Sequence, residues 1–145
     1  MTHRQGAGGL TAALELLDRS RGSLLTASRA TNSNDRYIAA HLGALRAGAA
    51  LLTRTPVHGA RGRGGPVRTV WQGIGEAAPE LREWADYFAV CGTRRTRLET
   101  GCGYASLREA DDLLRAAETF AGLVQAALGL PITRTEPILA VVARS

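Results

Sequence analysis

The stretch NDRYIAAHLGALRAGAALL, residues 34–52, decides the fold. Placed at about 100° per residue, Ile38, Leu42, Leu45, Ala49 and Leu52 fall into one narrow stripe, the pattern of a helix that buries one side. Asn34 is suited to cap its start, and Asp35 in the first turn favours the positive end of the helix dipole. Pro56 forbids much continuation, so the helix is predicted to end near Thr53. His41 falls about 60° from the centre of the stripe, beside Tyr37 and Ala44, as a half-buried residue between helices. Arg36 falls about 160° away, a solvated first-turn charge with Asp35 or an acid of a neighbouring helix as its partner. Five residues apart on a regular helix, the two side chains diverge by about 140°.

Working outward, Leu10, Leu14, Leu17, Leu24 and Leu25 recur at helical spacing and predict an amphipathic helix over about 10–30, behind a flexible tail of residues 1–9. Residues 55–67, TPVHGARGRGGPV, form a basic, Gly-rich loop. RTVWQGIGEAA then gives a short helix anchored by Trp71. Pro79 suits the first position of a third long helix whose buried face is Leu81, Trp84, Tyr87 and Phe88, with Gly101 and Gly103 ending it. Ser106 and Glu109 make a capping box for the last helix, which carries Leu113, Leu114, Ala117, Phe120, Val124 and Leu128 on one side. Gly129 and Pro131 stop it, leaving residues 131–145 as a C-terminal tail. Nothing reads as a strand-turn-strand unit. The expected fold is all-α: one domain over 10–130, an up-and-down bundle of four long helices plus one short helix.

Composition narrows the function. Hydrophobic residues make up 45% and charged ones 21%, values of a folded globular chain rather than a disordered one. The apolar run ILAVVA, 138–143, is far too short to span a membrane, and no signal-peptide h-region follows the start, so a cytoplasmic location is expected. Cys91 and Cys102 provide neither a disulfide framework nor, without nearby histidines, a zinc site. Glu109, Asp111, Asp112 and Glu118 lack an accompanying histidine, so no metal or cofactor is expected.

All eighteen basic residues are arginine, in a chain crowded with Ala and Gly, the profile of GC-rich coding. Without lysine there is no Schiff-base or P-loop chemistry. Residues 1–75 carry ten Arg against three acids, a formal +7, while 76–145 carry eight Arg against ten acids, a formal −2. Within the basic half, Arg61, Arg63 and Arg68 accompany glycines and His58. Such a loop can follow a phosphate backbone, because glycine lets the backbone approach and arginine neutralises charge. Arg36 and His41 are the candidate catalytic pair: histidine supplies acid–base capacity near neutral pH, and arginine stabilises charge on the transition state of RNA cleavage by its own 2′-hydroxyl.

DRYIAAHLGALRAGAALL, TVWQGIGEAAPELREWADYFA and SLREADDLLRAAETFAGLVQAAL together resemble the HEPN superfamily (higher eukaryotes and prokaryotes nucleotide-binding domains), over roughly residues 10–128. The likeness is to a small, stand-alone actinobacterial branch. The resemblance implies a bundle of four or five helices, frequently a homodimer, with roles around RNA as toxin, antiviral ribonuclease or nucleotide-sensing module. Catalytic members use an Arg-x4–6-His motif on the later helices. Here Arg94, Arg95 and Arg97 have no histidine after them, and Arg36–His41 lies on the second helix. The reading that follows is a non-catalytic module binding RNA, a nucleotide or a protein partner. A metal-independent endoribonuclease using Arg36 and His41 across a dimer, and a structural interaction protein, are the alternatives.

Overall fold

In the computed structural model, residues 2–54 and 69–130 are described, residues 2–7 as helical backbone only. The tail 131–145 and the Gly-rich loop, with His58, Arg61, Arg63 and Arg68, lie outside the described residues. Among the described residues there are five α-helices: α1 (Thr2–Arg29), α2 (Ser33–Arg54), α3 (Val70–Ala77), α4 (Arg82–Glu99) and α5 (Leu107–Ala127), with a 3-10 turn, Pro79–Leu81, before α4. No strand occurs among the described residues, so the fold is all-α as the periodicity predicts. α2 is the central helix, packed against α1, α3, α4 and α5. Its start meets the end of α1 and the start of α5, and its last turn meets the first part of α1. The bundle therefore runs up and down.

The centrality of α2 changes which of its residues are buried. The stripe residues Ile38, Leu42, Leu45, Ala49 and Leu52 are only partly covered, while Ala40, Ala44, Ala47 and Ala50 are fully buried. A helix surrounded on most sides meets its neighbours at the small residues, and its leucines fill the flanks. At Gly43 an added Cβ would stand 2.5 Å from Leu24 Cδ2 of α1. Ser20 of α1 donates to the Gly43 carbonyl at 2.7 Å, which satisfies a buried hydroxyl at this close approach.

Local chemistry sets the helix ends. α1 starts at Thr2, ahead of the expected position near residue 10. Gly9 packs on the end of α2, where the Thr53 hydroxyl donates to its carbonyl at 3.3 Å, so tertiary contact offsets the poor helix propensity of glycine. Asn32, rather than Asn34, caps α2: its Oδ1 accepts from the Asp35 amide at 2.8 Å. Asn34 instead crosses to the α4–α5 loop, accepting from the Ala105 amide at 2.7 Å. Thr69 with Gln72 and Ser106 with Glu109 form complete capping boxes for α3 and α5. Gly101 and Gly103 turn the chain between α4 and α5 at φ 81° and 101°, backbone that favours glycine.

The core is an aromatic cluster joining α3, α4 and α5. Phe88 is its centre, with ring centroids 5.1 Å from Phe120, 5.2 Å from Trp71 and 6.2 Å from Trp84. Leu81 and Phe88 are buried as expected, Trp84 is partly buried, and Tyr87 lies at the edge, 42% exposed.

Candidate functional site

Arg36 and His41 separate as their spacing on α2 requires. Arg36 closes the end of the bundle. Its Nε donates to the Ala27 carbonyl at 3.1 Å, its Nη2 to the Ala30 carbonyl at 2.9 Å, and its Nη1 pairs with Asp111 of α5. These carbonyls end α1, where a helix leaves acceptors without intrahelical partners and favours a cation. The acid of a neighbouring helix is thus Asp111, and the Arg36 side chain is only 21% exposed.

His41 points into the core and is 2% exposed, deeper than the half-buried position expected. Its Nε2 lies 2.9 Å from the Phe88 carbonyl and its Nδ1 lies 3.3 Å from Arg95 Nη1. A carbonyl only accepts and a guanidinium only donates, so Nε2 carries the proton and Nδ1 is the acceptor. Gly92 makes the room: a Cβ there would stand 3.1 Å from His41 Nε2. Trp71 packs edge-on at a centroid distance of 5.9 Å. Burial lowers the His41 pKa; the Phe88 carbonyl opposes this, and the Arg95 guanidinium lowers it further. Arg95 itself is held by Glu99, one turn on, at 3.4 Å from its Nε.

A neutral imidazole with both nitrogens engaged pins α2 to α4. Arg95 escapes a reading of the sequence as the partner of His41 because this contact joins residues 54 positions apart. The late arginine finds its histidine on α2 and not on its own helix.

One consequence is measurable. A base with a lowered folded-state pKa binds its proton more readily in the unfolded chain, so its contribution is complete above the unfolded value of about 6.5 and is lost as the pH falls below it. Urea midpoints recorded from pH 7.5 to 5 fall for the natural chain and fall less steeply for His41→Phe. Equal slopes would show that His41 does not titrate with folding.

Cys91, Tyr87 and Glu109 are also shifted by their surroundings. Burial raises the Cys91 pKa, with hydrogen bonds from Tyr37 and Tyr87 opposing, which leaves the thiol protonated. Burial also pushes the Tyr87 hydroxyl up to about 12. Glu109 is lowered by its capping bond to the Ser106 amide and by Arg94, which also donates to the Tyr104 carbonyl at 3.1 Å. Among the described residues no group of three or more His, Cys, Asp or Glu is placed to hold a metal, and no helix is long and apolar enough to cross a membrane. A groove of about 480 Å³ opens between α1 and the end of α5, lined by Leu14, Leu17 and Leu130 together with Glu15, Asp18 and Arg21.

A family model described as HEPN-like matches residues 27–125, from the last turn of α1 to the last turn of α5. No curated protein and no solved structure matches the chain. The match spans well over half of the sequence and takes in all of α2, α3 and α4, including the His41–Arg95 contact. The chain belongs to the HEPN superfamily.

Proposed function

We propose that this chain is a non-catalytic HEPN module that works in the cytoplasm and binds RNA through its basic half, with Arg61, Arg63 and Arg68 as the principal phosphate contacts. The observation that supports this reading is the engagement of Arg36 and His41. Cleavage needs a lone pair or proton presented to the substrate and a cation beside the phosphate. Here the imidazole is enclosed between helices with both nitrogens in use, and the guanidinium is occupied by two carbonyls and a carboxylate. The formal +7 of residues 1–75 supports a polyanionic partner.

The test uses the full chain, a labelled mixed-sequence RNA, a chelator and varied salt. RNA stays intact while binding weakens steeply with salt. Substituting Arg61, Arg63 and Arg68 together by alanine lowers the slope of log K against log salt by about 2, from about 0.7 per lost phosphate contact on a single strand. Cleavage in chelator that vanishes in folded Arg36→Ala and in folded His41→Ala would establish the ribonuclease instead. Absence of binding at low salt would leave the interaction protein.

A further inference from the structure

The end of α5 delivers the chain to the groove on α1. Gly129 turns at φ 73°. Its amide donates to the Ala126 carbonyl at 3.0 Å, and the Leu130 amide donates to the Gln125 carbonyl at 3.0 Å, the paired bonds of a Schellman ending. Gln125 and Leu130 both line the groove, so the residues after Leu130 set out from the groove's own wall. Pro131 cannot continue the helix there. Opposite, α1 offers Leu14, 47% exposed, beside the buried Leu17. The charged lining is Glu15, Asp18 and Arg21, a formal −1 from two acids against one arginine.

We propose that this groove is the docking site of the chain's own segment Ile138–Val142. Three observations on the page converge on that occupant. The first is composition: ILAVVA, residues 138–143, is the apolar run of the sequence beyond α5, and its leucine and β-branched side chains match a leucine-lined recess. The second is charge. Residues 131–145 carry Arg134 and Arg144 against Glu136, a formal side-chain +1 that complements the −1 of the lining. The third is length. The groove follows α1 from Thr11 to Arg21, about 15 Å of helix, and five extended residues cover about 17 Å. Residues 131–137 bridge up to about 25 Å, enough to bring Ile138 to either end. The attachment at Leu130 makes docking intramolecular, with an effective concentration on the order of millimolar, so a few apolar contacts suffice. The docked segment ties α1 to the end of α5 and takes Leu14 out of water. This inference is independent of the RNA reading.

The test uses the full chain with a nitroxide spin label at Ser145→Cys and with Cys102→Ser. The buried Cys91 thiol, held protonated, does not take the label. Leucine methyl signals are recorded by NMR before and after the nitroxide is reduced. Leu14 and Leu17 lose most of their intensity to the label, while Leu107, at the far end of α5, keeps its own. Ile138→Asp with Leu139→Asp charges both faces of an extended run and restores the Leu14 and Leu17 signals, with an unchanged helical circular dichroism spectrum. Full intensity at Leu14 and Leu17 in the natural segment would overturn the docking. Broadening that survives the two aspartates would overturn it too, since it would reflect the tether alone. An isotope-labelled chain without nitroxide, mixed with an equal amount of unlabelled spin-labelled chain, stays sharp. Broadening in that mixture would give the groove to the segment of a second copy and overturn the intrachain assignment.

Discussion

Phe88→Ala leaves the chain unfolded or barely folded at room temperature. The ring is fully buried and touches Trp71, Trp84, Phe120 and His41, so three helices lose their common contact together. Truncating a buried phenylalanine costs about 3–5 kcal/mol, part in lost transfer energy and part in the cavity left behind. A single domain holds only about 5–15 kcal/mol in all. Collapse of the site cannot recover much, because Trp71 and Phe120 are themselves held at 5.8 Å and fixed by separate helices. Urea unfolding followed by circular dichroism measures the loss. A change under about 1 kcal/mol would mean that the aromatic cluster repacks freely, contrary to a closely fitted interior.

The second large effect is expected at Arg36. Arg36→Ala lowers stability by about 2 kcal/mol, a figure reduced from three charge-assisted hydrogen bonds because the ion pair with Asp111 is partly solvated. The loss is concentrated at one end of the bundle, where the guanidinium joins α1, α2 and α5. Arg36→Lys recovers little of it, since an ammonium on a flexible stem does not reach three divergent acceptors. This experiment also separates two meanings of the residue. An anchoring arginine changes the urea midpoint and leaves RNA binding proportional to the folded fraction. An arginine that meets substrate would leave the midpoint alone and change the chemistry.

Much of the architecture was legible because its determinants are local. Ser106 with Glu109, the turn glycines 101, 103 and 129, and the 3.6-residue periodicity of α2 and α5 act within a few residues of chain. They fixed element order and fold class. The failures were all tertiary. Asn32 and Asn34 are equally plausible caps until the α4–α5 loop claims Asn34. The glycines near the start argue against helix until Thr53 packs on Gly9. The depth of His41 is set by Gly92 and Arg95, far along the chain, and the helical wheel placed the buried face on a stripe that is only partly covered, so neither its direction nor its burial was local information.

The approach of α1 to α2 at Gly43 has a consequence for how such chains diverge. The space that a Cβ would need at position 43 is filled by the Leu24 side chain. The two positions therefore share one volume, and a gain at either is tolerated only with a reciprocal loss at the other. Descendants of this chain should exchange bulk between 24 and 43 in concert while the summed size stays level. Their kinship would then be carried by conserved volume more than by conserved letters.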